Sequence, residues 1–407
     1  VSRGNPARFS RDKMLSDAGA GENVKGEYAL IYLDNAATTW PKPPEVWQAM
    51  ENALKISANP GRGGHRLALD AGRIVFEARE KLANFFGVKD PNHIVFTSNA
   101  TEALNLGIKG LLRPGDHAIT SSMEHNSVIR PLNELRKKGV EVTVVECDSQ
   151  GSLDPEDIRK AIRHNTKLIA LTHASNVTGT IMPVEEVAKI AREKDIVFLV
   201  DAAQTAGSLK INLEETPIDL LAFSGHKGLL GPPGTGGLYI REGVKLEPLI
   251  TGGTGSQSEL DYQPEVLPER FESGTLNTVG IAGLAAGIDF IEKIGLENIR
   301  RHEKELLTRL LSELENIPGI KVYGPKDPEL QVAVVSLNIE DRDSGEIAFV
   351  LDQVFDIGVR SGLHCAPRAH RTIGTFQQGT VRISCSYFNT VEDIEACLNA
   401  LKEIVTT

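Results

Sequence analysis

Four polar clusters in this chain sit where apolar runs end or loops turn, and each carries side chains able to do chemistry. The richest is DLLAFSGHKGLLGPPGTGGLYI, which places Ser224, His226 and Lys227 between an apolar strand and a glycine-rich loop. Most lysines are solvated surface residues. A lysine that follows a buried strand is different, because desolvation lowers its pKa and makes the amine nucleophilic. In IVFLVDAAQTAG, Asp201 closes a run of five apolar residues. A carboxylate buried there needs a cationic or donor partner, since leaving it unpaired costs on the order of several kcal/mol. A protonated pyridine nitrogen is one such partner, and a helix N-cap is the alternative reading. In TSNATEALNLG, Ala100, Thr101 and Glu102 open a helix after the strand HIVFT. Free N–H groups and the helix dipole could hold a phosphate there, with Ser224 and His226 donating to the same group; a simple cap by Thr or Asn is the alternative.

The fourth cluster, RSGLHCAPRAH (360–370), is a polar loop around Cys365. Arg360, His364 and His370 could stabilise a thiolate, and Gly362 and Pro367 shape an exposed turn. A structural loop and a His-Cys-His metal site are the alternatives. The other cysteines read as small core residues: Cys147 ends a strand, Cys385 lies in VRISCSYF and Cys397 lies in the terminal helix. His65, in NPGRGGH, lines a site entrance or sits on a surface loop.

The elements that position these clusters alternate along the chain. Apolar runs at 93–97, 117–121, 140–147, 167–175, 195–201 and 219–225 read as strands, separated by helical patterns such as ATEALNLGIKGLL and PVEEVAKIAREK. Strands apolar on both faces, with helices between them, predict an α/β domain with a mostly parallel sheet. In such a sheet ligands bind at the carboxyl ends of the strands, where these clusters lie. The run GLLGPPGTGG (228–237) is expected to form a tight loop. After about residue 280 a long helical stretch and fewer strands predict a smaller C-terminal α/β domain. The expected division is a polar arm over 1–27, a large domain over 28–280 and a small domain over 281–407 that carries the cysteine loop.

Composition removes several function classes. The 407-residue chain carries a formal net charge of −11, the wrong sign for a surface that neutralises nucleic acid or anionic lipid. Nothing approaches the ~20 apolar residues of a membrane span, and the first 27 residues have no signal-peptide core; a cytoplasmic location is expected. Its four cysteines include no C-x-x-C pair, so neither a disulfide framework nor a zinc site is expected. Dinucleotide-binding, P-loop, zincin and nucleophile-elbow motifs are all missing.

With SGHK downstream of VDAAQ, and TEALN and EHNS before them, the chain resembles the class-V aminotransferase group of fold-type-I pyridoxal-phosphate enzymes. The likeness runs from YLDNAATT (32–39) almost to the C-terminus. HASNVTGT, FESGTLNT and RSGLHCAP resemble the cysteine desulfurases, in the branch with an R-x-G-x-H-C-A loop that bacterial selenocysteine lyases share. The resemblance implies that Lys227 bonds covalently to pyridoxal 5′-phosphate and acts as base, Asp201 binds the ring nitrogen and His125 stacks on the ring. Gln204 and Asn176 are implied to contact the ring oxygen or the substrate carboxylate. Ala100, Thr101, Ser224 and His226 are implied at the phosphate, with Thr275 reaching in from the other subunit of a homodimer. Arg382 is implied to grip the α-carboxylate of L-cysteine, with Arg360 and His65 nearby, and Cys365 to take the sulfur as a persulfide for iron–sulfur cluster assembly or another sulfur pathway. A selenocysteine lyase, or another class-V aminotransferase or lyase, is the alternative. No metal is implied, and the sulfur acceptor, a protein or a small thiol, stays open. Leu363 stands where many relatives have a second His.

Overall fold

The computed structural model describes residues 30–60, 63–257 and 259–406, so the polar arm expected over 1–27 lies outside the described residues. After the short β1 (Ile31–Tyr32), seven strands build the main sheet: β2 (Ile94–Thr97), β3 (His117–Ser121), β4 (Glu141–Val145), β5 (Thr166–Thr172), β6 (Val197–Asp201), β7 (Leu220–Ser224) and β8 (Gly236–Ile240). Their order is β2-β8-β7-β6-β5-β3-β4. Neighbours are parallel except at β8, which runs antiparallel to both β2 and β7. This is the expected mostly parallel α/β sheet. Helices cover both faces, which is why β7 is buried at every position, on both faces.

Each expected strand is present within a few residues of its predicted bounds. The glycine-rich run differs: its last two residues, Gly236 and Gly237, belong to β8. A Cβ on Gly237 would lie 2.3 Å from the ring of Phe223 on neighbouring β7, so only glycine lets the two strands pair there.

The second sheet is antiparallel. It contains β9 (Ile320–Tyr323) and β10 (Val334–Ile339); after the short β11 (Ile357–Gly358), which pairs with β1, come β12 (Arg360–Gly362) and β13 (Thr380–Ser384), giving the order β12-β13-β10-β9. Its core gathers Leu306, Leu310, Val335, Leu337, Ile383 and Leu401, while Phe198, Val200, Leu221 and Phe223 lie in the core of the main sheet. Ile281, Leu284, Ile288 and Ile291 of the helix Thr278–Ile294 pack into that larger core, whereas Leu33 packs into the smaller one. We propose a two-part organisation with its junction at Gly295, between that helix and the helix Leu296–Leu314, rather than at residue 280. Among the described residues no helix is long and apolar enough to cross a membrane.

Candidate active site

The carboxyl ends of β5, β6 and β7 come level in register, with Thr172 opposite Asp201 and Asp201 opposite Ala222. The loops beyond β6 and β7 then touch at glycines. Gly207 adopts φ +91°, and a Cβ there would sit 2.2 Å from the carbonyl carbon of Gly228; one on Gly228 would sit 2.5 Å from the Ala206 oxygen. That close approach brings the loop after Asp201 against the turn that carries Lys227.

One cleft at this edge is lined by Ala100, Thr101, His125, Asn176, Asp201, Gln204, Ser224, His226 and Lys227. It encloses about 500 Å³ of unfilled space, counting the part open to solvent. Lys227 makes no hydrogen bond or ion pair through its amine among the described residues, and burial pushes that amine down to about 8, against the opposing pull of Asp201. Asp201 is buried, and one of its oxygens accepts from the Ala203 N–H at 3.0 Å. Burial raises its pKa, and Lys227 works in the other direction.

At the other end of the cleft the helix Ala100–Leu111 begins. Asn99 caps it by accepting from the Glu102 N–H, so asparagine and not Thr101 is the cap. The N–H groups of Ala100 and Thr101 have no acceptor among the described residues, leaving them to an anion. Thr101 Oγ1 lies 2.7 Å from Ser127 Oγ, which lies 2.8 Å from His125 Nδ1. Because His125 Nδ1 accepts from the Ser127 N–H at 3.1 Å, the ring carries its proton at Nε2. Burial first, and then Lys227, pushes His125 down to about 4, so it presents a neutral face.

His226 is also pushed down to about 4, by burial and then by Lys227 and Lys42, and its buried Nδ1 has no partner among the described residues. Its backbone oxygen accepts from Thr38 Oγ1 at 3.0 Å, Thr39 N–H at 3.1 Å and Lys42 Nζ at 2.7 Å. Three donors on one carbonyl fix the peptide that precedes Lys227. The fit to pyridoxal phosphate is good: an amine with no acceptor among the described residues, a buried carboxylate on an adjoining strand, a neutral imidazole lining the same cleft, and, among the described residues, two backbone N–H groups and His226 Nδ1 left without partners for the phosphate.

The cysteine loop borders this cleft. Asn176 Nδ2 donates to the His364 oxygen at 2.7 Å and the Asn126 N–H donates to the Cys365 oxygen at 2.8 Å. His364 and Cys365 both take positive φ, +49° and +57°, which costs non-glycine residues about 1–2 kcal/mol each; the two hydrogen bonds hold that conformation. Cys365 is the exposed cysteine, while Cys385 and Cys397 are buried. Whatever His364 and His370 do for a thiolate at Cys365, they do it as neutral rings. Burial holds both in the neutral form, with His370 at about 4, and Arg382 adds to the effect on His364. The cations here are Arg360 and Arg382. Among the described residues no group of three His, Cys, Asp or Glu could hold a metal ion.

Other expected residues lie apart. Thr275 lines a second cleft with Thr97, Ser98 and Asn277. His65 is exposed and caps the helix Arg66–Phe86, its Nδ1 accepting from the Ala68 N–H at 3.3 Å. Arg382 sits behind the cleft wall, donating to the Asn176 oxygen at 3.1 Å and to Asp34 at 2.7 Å.

Three side chains at this site were given no role in the sequence reading: Asp34, Lys42 and Glu124. Asp34 and Glu124 stand inside the motifs YLDNAATT and EHNS. Glu124 is buried; its Oε1 accepts from Ser121 Oγ at 2.6 Å and from the Thr172 N–H at 3.0 Å, and its Oε2 has no partner among the described residues. Burial, and to a lesser degree Asp201, pushes this carboxyl up to about 8. A carboxyl raised on folding binds its proton more tightly in the folded chain, so its contribution to stability is complete below about 4.5 and is lost as pH rises through about 8. Glu124→Gln is expected to flatten the fall in melting temperature across this window, by an amount equivalent to at most about 1.4 kcal/mol per pH unit. Parallel melting curves for the two proteins between pH 5 and about pH 8.5 would show this reading to be mistaken.

The sequence pattern of the family Aminotransferase class-V matches residues 31–397. The chain belongs to this family of pyridoxal-phosphate enzymes. Cysteine desulfurases are among its relatives there: it is 41% identical to the probable cysteine desulfurase of Methanothermobacter thermautotrophicus, over 94% of this chain and 98% of that one. It is 34% identical to the cysteine desulfurase IscS of Dictyoglomus turgidum, over 92% and 94% of the two chains. The apo structure of cysteine desulfurase from Thermococcus onnurineus superposes with a TM-score of 0.88 at 40% identity, covering 95% of this chain and 98% of that one.

Proposed function

We propose that this chain is a cysteine desulfurase that binds pyridoxal 5′-phosphate at Lys227 and passes the sulfur of L-cysteine to Cys365. The observation that carries the reading is that Lys227 and Asp201 line one cleft whose lip holds the cysteine loop through Asn126 and Asn176. In this reading Lys227 bonds to the cofactor, Asp201 takes the ring nitrogen, and His125 lies against the ring. Gln204 and Asn176 serve the ring oxygen or the substrate, and Ala100, Thr101, Ser224 and His226 serve the phosphate. Bound there, the cofactor supplies an electron sink for charge released at the substrate's α-carbon. The amine of Lys227, held near pH 8 by its surroundings, is suited to move the α-proton near neutral pH.

Cys365 then attacks the substrate sulfur as a thiolate. An S–S bond forms, the C–S bond breaks with its electron pair left on carbon, and protonation of that carbon leads to alanine while Cys365 keeps the sulfur as a persulfide. A thiol, protein or small molecule, then takes the sulfur on. A homodimer in which Thr275 completes the partner's phosphate site belongs to the same proposal. Exposed Trp47, Leu54, Leu69 and Phe76, on the helices Pro44–Ile56 and Arg66–Phe86, offer apolar surface for a second copy to cover.

The test is incubation with L-cysteine, with and without a thiol reductant, followed by the mass of the peptide containing Cys365. A gain of one sulfur, removed by reductant, is expected. Alanine formation without any such gain would transfer the sulfur step to another residue.

A further inference from the structure

The sheet pairs two cations. Arg360 on β12 and Arg382 on β13 are direct register partners in an antiparallel ladder, and side chains at such positions share a face about 5 Å apart. Like charges so placed repel. A single carboxylate meets both: Asp34 accepts from Arg360 Nε at 2.9 Å through Oδ2 and from Arg382 Nη2 at 2.7 Å through Oδ1.

Asp34 is fixed before it meets either arginine. It follows β1 and bridges to Ser384 at the end of β13, with the Ser384 N–H donating to the Leu33 oxygen at 2.7 Å and the Leu33 N–H to the Gly358 oxygen at 2.8 Å. The residue is 8% exposed. Arg382 is 2% exposed, its Nη1 donates to the Asn176 oxygen, and its buried Nε has no partner among the described residues. Asn176 lines the cleft. The guanidinium is thus pinned at both terminal nitrogens while keeping donors for one more acceptor.

We propose that Asp34 is a positioning and specificity-determining residue: it fixes the plane of Arg382 for the substrate's α-carboxylate and holds the arginine pair to a single net positive charge. The proposal rests on the reading that Arg382 receives that carboxylate. Two guanidiniums and one carboxylate leave a charge that one further carboxylate balances. An amino acid with a neutral side chain meets that condition, and one with an acidic side chain brings a surplus negative charge into a buried place. Arg382, bound at Nη1 and Nη2, can turn only by breaking charge-assisted hydrogen bonds.

The test uses the cofactor-loaded enzyme and two probes with no sulfur to give up, L-alanine and L-aspartate, with binding measured by calorimetry and turnover measured on L-cysteine. Asp34→Asn is expected to weaken L-alanine about tenfold and to raise KM for L-cysteine with kcat changed less than about threefold, the pattern of lost uniform binding. It is also expected to narrow the preference for L-alanine over L-aspartate, because the pair then carries the extra positive charge. Unchanged or tighter L-alanine binding would overturn the proposal by showing that Asp34 competes with substrate. Arg382→Gln, run alongside, separates the two readings. If it too keeps L-alanine affinity, the assignment of Arg382 has failed; if it alone loses affinity, only the role of Asp34 has failed. Should Asp34→Asn not melt cooperatively, Asp34→Glu, which keeps the charge and shifts the carboxylate, is expected to weaken L-alanine while still excluding L-aspartate. Loss of folding in both variants would assign Asp34 to the fold alone and overturn the proposal.

Discussion

Lys227→Ala is expected to leave a folded chain to which borohydride fixes no cofactor and whose turnover of L-cysteine falls at least about 10⁴-fold. The fold should survive, because the Lys227 amine donates to no acceptor among the described residues and its neighbours Gly207 and Gly228 are held by backbone contact. What disappears is the amine whose desolvation brings it to about 8, where a useful fraction is unprotonated at neutral pH and so nucleophilic. Lys42 is the competitor to watch, since burial pushes its amine down further, to about 7. It is tied to the His226 carbonyl at 2.7 Å and does not line the cleft. Borohydride treatment followed by peptide mapping distinguishes the two. A reduced adduct on the variant, mapping to Lys42 or elsewhere, would remove Lys227 from its assigned role.

How far the sequence carried this reading depended on the range of the interactions. Asp201 and Lys227 were legible because each follows an apolar strand directly, so their burial at the carboxyl edge of the sheet is a local consequence of strand length. The parallel sheet was legible for the same reason: runs such as LLAF, apolar on both faces, have one architecture open to them. Asp34 was not legible. Its partners Arg360 and Arg382 lie 326 and 348 residues along the chain, and only the pairing of β1 with β11 and the bridge to Ser384 bring them together. The charge state of the cysteine loop was hidden in the same way. His364 and His370 read as residues able to stabilise a thiolate, but that tertiary burial holds both neutral could not be read from their local sequence. Gly236 and Gly237 misled in the opposite direction, since a glycine pair signals a loop until the ring of Phe223 is known to lie against it.

Cys365→Ser is expected to keep cofactor and substrate binding and to lose persulfide formation, with kcat for L-cysteine falling at least about a hundredfold, or about 2.7 kcal/mol in the barrier. Burial pushes Cys147 up to about 11 and Cys397 up to about 12, and it raises Cys385 as well, so none of the three is a thiolate near neutral pH. Cys385 and Cys397 also lie in the core of the smaller sheet, out of reach of a substrate. Cys365 is exposed, sits in strained backbone at φ +57°, and is tethered through its carbonyl to the residue after His125. A serine at this position has an oxygen that stays protonated and cannot accept sulfur, but it keeps the backbone bond to Asn126, so KM should change less than about threefold while kcat collapses. Cys147→Ser, the control with a partly exposed thiol, is expected to stay within about twofold of the parent. If the two variants behave alike, either both active or both inactive, the exposed loop is not where sulfur leaves the substrate.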